Sequence, residues 1–128
     1  MPNVAMKHDT DPREALLEKL GDAVDKLDVG DNRVIVATYL RPQRTYGGII
    51  LTQRTLDEDK FQSKIGLVLK IGPSAEFPTL DIKVHDWVVV RPSDGFAFEI
   101  LNGREQIPCR WFIDRDIRGK TSNPDLVW

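Results

Sequence analysis

One stretch decides the fold class: Lys64-Ile65-Gly66-Leu67-Val68-Leu69-Lys70-Ile71. Its residues alternate with the period of two that is typical of a β-strand, and Gly72-Pro73 then ends the pattern. We expect a strand that turns one apolar face towards a core. Four side chains are predicted to share that face: Ile65, Leu67, Leu69 and Ile71.

Further strand patterns lie on both sides of this stretch, separated by turn signals. The pair Asn102-Gly103 is typical of a tight type I′ hairpin between two of them. Five or six short strands punctuated in this way predict a mainly β fold built as a small barrel. The predicted strands are Asn32 to Leu40, Asp86 to Arg91, Phe96 to Leu101, a return strand towards Ile107, and Trp111 to Ile113.

An α-helix is predicted before the barrel. Asp11 is placed to cap it, Pro12 suits its first position, and Glu14 completes a capping box. An apolar stripe follows, interrupted by Gly21, which weakens a helix by about 1 kcal/mol. The stripe either packs on its own domain, which we expect, or docks on a neighbouring subunit. Its members are Leu16, Leu17, Leu20, Val24 and Leu27.

The predicted organisation is therefore an N-terminal extension over 1–30, a barrel over 31–118 and a polar tail over 119–128, ending in Leu126-Val127-Trp128. With 128 residues, 41% hydrophobic and 30% charged, the chain has the composition of one soluble domain. Its net charge of -2 argues against a nucleic-acid-binding surface. A single cysteine excludes an internal disulfide, and no signal peptide or membrane span is expected.

Residues with catalytic potential are few, and we predict no enzyme, no metal and no cofactor. His8 and His85 lack neighbours at metal-ligand spacing. Cys109 is best interpreted as a packed residue rather than a nucleophile. Phe96 and Phe98 could stack on bases, but the positive charge that usually accompanies such sites is missing.

The motif with the clearest binding potential is Tyr46-Gly47-Gly48-Ile49-Ile50-Leu51-Thr52. Two glycines precede three large aliphatic residues, with polar sequence on both sides. Taken alone, this pattern is either the start of a buried strand or an aliphatic plug for a groove on a partner.

The β region resembles the GroES family of co-chaperonins (chaperonin-10) in several segments that occur in the family's order. The resemblance covers about Asp31 to Arg118. The matching segments are Asp31-Asn32-Arg33-Val34-Ile35-Val36, Gly47-Gly48-Ile49-Ile50-Leu51, Gly66 to Pro73, Val84 to Val90, and Ile113-Asp114-Arg115-Asp116-Ile117.

This resemblance implies a barrel protomer in a homo-oligomeric ring, usually of seven, that caps a GroEL-type chaperonin in the cytoplasm. Gly47, Gly48, Ile49, Ile50 and Leu51 would form the loop that docks on the chaperonin, and the partner would hydrolyse the ATP. The resemblance also implies a subunit interface in which the first strand pairs with the closing segment of the next subunit. Its residues would be Arg33, Val34, Ile35, Val36, Asp116 and Ile117.

The sequence departs from the family pattern at several places. Only Pro73 to Lys83 occupy the position of the family's roof hairpin. This shortening resembles co-chaperonins of T4-like phages, and it predicts an open-topped ring. His85 replaces a usual turn glycine. The helix and the tail are additions, so a second interpretation is a virion protein, a capsid cement in which these additions bind capsid neighbours.

Overall fold

A computed structural model describes residues 11–40 and 63–126 of the chain. Helix α1 spans Pro12–Leu20, and short 3-10 turns cover Ala23–Lys26, Asp114–Asp116 and Pro124–Leu126. Six strands follow in chain order: β1 Arg33–Thr38, β2 Ile65–Ile71, β3 Trp87–Val89, β4 Phe96–Asn102, β5 Glu105–Ile113 and β6 Gly119–Thr121.

The strands form one antiparallel sheet in the order β4-β5-β1-β2-β3-β6. Its two edge strands approach each other where they begin: the Arg118 guanidinium lies 3.8 Å from the Asp94 carboxylate. Arg110, which is buried in β5, also donates to the Asp94 carbonyl at 2.8 Å. The predicted fold class, a mainly β chain of the small-barrel type with one N-terminal helix, is confirmed.

Strand β1 lies in the middle of the sheet and is buried on both faces. One face contributes Ile35 and Ala37 to a cluster that we call the helix-side core. The other contributes Val34 and Val36 to a second cluster, the connection-side core. The helix-side core comprises Leu20, Ile35, Ala37, Tyr39, Ile65, Leu67, Leu69, Trp87, Ile100, Ile107 and Cys109. The connection-side core comprises Val34, Val36, Val68, Ile82, Val88, Val90, Phe112 and Ile117.

Helix α1 covers the helix-side core, as expected for a helix that packs on its own domain. Leu20 is 1% exposed within that core. The predicted cap is present, since the Asp11 carboxylate accepts from the Glu14 amide at 3.2 Å. The prediction of a helix reaching Leu27 was wrong: α1 ends at Leu20, because Gly21 adopts a φ of 54°. The Asn102 side-chain amide donates to the Lys19 carbonyl at 2.8 Å and so ties the helix to the β4–β5 hairpin.

The connection between β2 and β3 covers the opposite face of the sheet. Ile82 is buried in the connection-side core, and Ala75, Phe77 and Leu80 pack against it half-buried. Residues 73–86 form turns and bends, and they place these four side chains inward rather than building a hairpin above the barrel. The shortened connection therefore serves as a wall of the core.

The prediction that four residues share one face of β2 was wrong for Ile71, because the strand contains a β-bulge. Ile35 pairs with Lys70, but Val36 pairs with Val68, so β2 carries one extra residue at this point. The extra residue shifts the alternation, and Ile71 packs against the connection-side core instead of the helix-side core. The other three predicted residues do share the helix-side core.

The C-terminal part of the sheet also differs from the prediction. The two short strand patterns around Ile107 and Trp111 form the single strand β5. Strand β5 tolerates Pro108 because the pairing of β5 with β1 ends at Cys109. At Pro108, therefore, β1 no longer needs a backbone amide hydrogen from β5. Strand β6 pairs with β3, so the sheet extends beyond residue 118 into the predicted tail. The Asn102-Gly103 hairpin is confirmed, with Gly103 at a φ of 61°.

Gly72→Ala is expected to lower the free energy of unfolding by roughly 1–3 kcal/mol, the usual cost of overpacking. An added Cβ would overlap the carbonyl oxygens of Asp31 and Gly30, and neither backbone atom can move freely. Urea denaturation followed by circular dichroism measures the change. Gly30→Ala is the matched control, since its Cβ meets nothing within 4 Å. Equal midpoints for the two variants would contradict the packing described.

Candidate functional site

The predicted partner-binding residues Gly47, Gly48, Ile49, Ile50 and Leu51 lie outside the described residues. The described chain does contain both points from which this segment departs. Leu40 precedes it shortly after β1, and Ser63 follows it just before β2. We call these two flanks, with Tyr39 and Lys64, the stem.

Hydrogen bonds join the two sides of the stem. The Tyr39 amide donates to the Ile65 carbonyl at 2.9 Å, which continues the β1–β2 pairing by one residue. The Ser63 hydroxyl donates towards the Tyr39 carbonyl at 2.7 Å and the Ile65 carbonyl at 3.1 Å. Tyr39 and Ser63 are each only 4% exposed. Buried polar groups that are paired in this way hold their geometry, so the two ends of the segment leave from one defined point.

The side chain of Tyr39 links the stem to two other parts of the fold. Its ring packs edge-on against Trp87 of β3, with ring centroids 5.3 Å apart. Its hydroxyl donates to the Asp125 carboxylate at 2.6 Å. Burial, and secondarily the hydrogen bond and negative charge of Asp125, raise the pKa of the Tyr39 phenol above its ordinary value. The phenol is therefore a neutral donor at physiological pH.

The six residues predicted for a subunit interface lie close together in the single chain. Arg33 pairs with Ile113, whose amide donates to the Asp116 carboxylate at 3.1 Å. Val34, Ile35 and Val36 are buried, and both edges of their strand are paired within the chain, with β2 and with β5. Ile117 is buried as well. The interface assignment stays a prediction, and its solvent-accessible members are Arg33 and Asp116.

The residues weighed for catalysis occupy structural positions. Cys109 is 1% exposed in the helix-side core, and burial raises the pKa of its thiol to about 12. His85 lies in the turn before β3 with a φ of 75°. Among the described residues, His, Cys, Asp and Glu side chains form no group of three able to hold a metal. Phe96 and Phe98 pack with Trp111, and the rings of Phe96 and Trp111 stack at 5.8 Å.

The chain matches a known protein family. The model of the chaperonin 10 Kd subunit family (Cpn10) matches residues 26–119. The chain belongs to this family. It is a GroES-type co-chaperonin, and the family consists of lid proteins without enzymatic activity that form oligomeric rings and work with GroEL-type chaperonins. A search among curated proteins finds no match. No helix in the described part of the chain is long and apolar enough to span a membrane.

The family match covers residues 26–119 and leaves out both ends of the chain. It begins in the 3-10 turn Ala23–Lys26 and ends at the first residue of β6. Helix α1 and the chain beyond Gly119 lie outside it. The family resemblance in the sequence, from about Asp31 to Arg118, lies within the matched residues. The stem residues Tyr39 and Ser63, and the tail residue Asp125 that bonds Tyr39, were missed, because they are far apart in sequence and no local pattern joins them.

The Cys109 thiol is expected to stay unreactive in the folded co-chaperonin. At pH 8, DTNB should titrate no thiol in the native protein within minutes and one thiol in guanidinium chloride, since burial excludes the reagent and keeps the thiol protonated. The pKa of the Cys109 thiol in the folded chain is above the ordinary 9.0, so ionisation of the thiol favours the unfolded chain. The stability that the neutral, buried thiol contributes is therefore lost as the pH rises from about 9 to 12. Rapid stoichiometric labelling of native protein would contradict the assignment.

Proposed function

We propose that this co-chaperonin closes a GroEL-type chaperonin during ATP-dependent protein folding, and that the segment Gly47-Gly48-Ile49-Ile50-Leu51 makes the contact. The family match carries the proposal, since residues 26–119 contain this segment and both flanks of the stem. The hydrogen-bonded stem supports the proposal physically, since a rigid barrel would present a short aliphatic motif from one defined point. ATP is hydrolysed by the partner.

The energetics of such a contact suit a lid that must bind and release. Full burial of an aliphatic side chain is worth roughly 1.5–3 kcal/mol. Fixing the backbone of a residue costs about 1–2 kcal/mol, so the gain from Ile49, Ile50 and Leu51 largely offsets the ordering of the segment. One segment therefore binds weakly. Several segments on one ring bind much more strongly, because each bound segment raises the effective concentration of the others.

A ring of seven subunits, as the family resemblance implies, would bring these segments together. We propose that the contact between subunits includes the end of the barrel where Arg33 and Asp116 lie. The Asp116 carboxylate accepts from the amide of Ile113, and Ile113 pairs with the exposed Arg33 across the sheet. Since β1 has no free edge within the chain, a contact there would be made by side chains.

The virion interpretation relied on a helix and a tail that are available to bind neighbours. In the described part of the chain both pack on their own domain: Leu20 of α1 is buried, and Asp125 of the tail meets Tyr39. The family match supports the co-chaperonin function, and this function is the one we propose.

Ile50→Asp is expected to abolish the effect of the protein on its partner. The wild type should slow the ATPase of a GroEL-type chaperonin, and the variant should not, since burying an unpaired carboxylate in an apolar groove is strongly unfavourable. Gln53→Asp adds the same charge at a polar position three residues further on and should act like the wild type. A wild type without effect on the chaperonin, or an Ile50→Asp variant with full effect, would refute the proposal.

Arg33→Glu is expected to weaken the ring. Native mass spectrometry should show one closed oligomer for the wild type and a shift to smaller species for the variant, since the substitution reverses the charge of an exposed side chain at the proposed contact. Arg104→Glu, at the exposed β4–β5 hairpin, is the matched control and should keep the wild-type oligomer. A ring that is indifferent to Arg33→Glu would place the subunit contact elsewhere.

A further inference from the structure

Strand β6 differs from the other five strands in having no aliphatic or aromatic side chain. Its residues are Gly119, Lys120 and Thr121, and none of them is buried. Each of the other strands contributes buried apolar side chains to at least one of the two cores. Since apolar burial is the main favourable term in folding, β6 must be held in the sheet by other interactions.

Backbone pairing attaches β6 to β3. The two strands are antiparallel, with Trp87 opposite Thr121 and Val89 opposite Gly119. The Arg118 amide, just before β6, donates to the Val89 carbonyl at 2.8 Å. While β6 is in place, it covers an edge of β3 whose unpaired backbone groups would otherwise be open to another strand.

Two ion pairs add to this short backbone attachment. The Lys120 ammonium lies 3.2 Å from the Asp86 carboxylate, and it donates to the Asp81 carbonyl at 2.8 Å. The Arg118 guanidinium lies 3.8 Å from the Asp94 carboxylate. We call the Lys120–Asp86 and Arg118–Asp94 contacts the β6 ion pairs. They join the strand to the connection before β3 and to the turn before β4.

Both carboxylates of the β6 ion pairs are held in place by other parts of the chain. Asp86 also accepts from the Lys83 amide at 2.8 Å, and Asp94 accepts from the Arg91 guanidinium at 3.3 Å. The Asp94 oxygen nearest Arg118 is buried and has no hydrogen-bond partner among the described residues. Arg118 therefore supplies positive charge to a carboxylate oxygen that is otherwise poorly compensated.

The basic side chains of the β6 ion pairs are open to solvent, so dissolved ions can screen them. The Lys120 side chain is 39% exposed and the Arg118 side chain is 51% exposed. Salt weakens the attraction between such charges, whereas apolar burial in the two cores does not depend on charge. Rising ionic strength should therefore loosen β6 before it loosens the other strands.

We propose that the β6 ion pairs form a salt-sensitive latch that holds β6 on the edge of β3. When salt weakens the latch, the polar residues 118–123 open locally, while the buried residues on both sides of them, Ile117 and Pro124, stay in place. The latch gives one edge of the co-chaperonin a response to ionic strength. It acts within the folded chain and needs no chaperonin partner.

Amide hydrogen exchange of the full chain, followed by NMR, tests the latch. The reporter is the Arg118 amide, bonded to Val89, and the internal control is the Gly72 amide, bonded to Arg33 at 2.7 Å. Raising NaCl from about 0.01 M to about 1 M shortens the screening length from about 30 Å to about 3 Å. Exchange at Arg118 should become about three- to tenfold faster relative to Gly72, as expected for the loss of two partly exposed ion pairs.

Variants assign the salt response to the latch. Lys120→Gln should speed Arg118 exchange at low salt by about two- to fivefold, while Lys120→Arg keeps the charge and should match the wild type. Lys83→Gln is the matched control, since the ion pair of Lys83 with Asp81 at 3.5 Å does not include β6. In the double variant Lys120→Gln with Asp94→Asn, exchange at Arg118 should no longer respond to salt.

Each outcome supports or overturns the latch. Salt-dependent exchange at Arg118 that is lost in the double variant, with Gly72 steady throughout, supports it. Exchange at Arg118 that ignores salt shows that the ion pairs do not hold β6. Equal acceleration at Arg118 and Gly72 shows that the whole sheet opens together, and a salt response that persists in the double variant assigns it to other charges. Any of these three results overturns the proposal.

Discussion

Strand β1 is surrounded on four sides, and the rest of the fold follows from covering it. Its edges are paired with β2 and β5, and its side chains enter two separate cores. A strand buried on both faces needs a layer of structure above and below the sheet. Helix α1 supplies one layer and the connection before β3 supplies the other. An N-terminal helix outside the family match is therefore part of the core of this protein.

The two layers explain how a co-chaperonin with a short β2–β3 connection remains well packed. The connection closes the connection-side core with the side chains of Phe77, Leu80 and Ile82. Leu16, Leu17 and Leu20 close the other from the helix. Each layer contributes apolar burial that a chain of this size needs, since small domains bury a limited fraction of their surface.

The same central strand leads directly to the stem, which flanks the proposed partner-binding segment. β1 ends at Thr38, and the next residue, Tyr39, begins the stem. Rigidity therefore extends from the core to the stem, on both flanks of residues 41–62. Asp125 of the tail contributes to this rigid part of the molecule through its hydrogen bond with Tyr39.

Local signals predicted much of this protein. The period of two identified the strands, Asn102-Gly103 the hairpin, and Asp11 with Pro12 the start of the helix, because each depends on residues within a few positions of one another. Their order also revealed the family, and with it the motif Gly47 to Leu51, whose binding role stays a prediction.

Other features required the folded chain. The bulge in β2, the strand β6 and the contact between Tyr39 and Asp125 all depend on partners far apart in sequence. Hydrophobic period and turn chemistry record what a residue does with its near neighbours. Which distant surfaces meet, and which buried polar groups find each other, is set when the whole core packs.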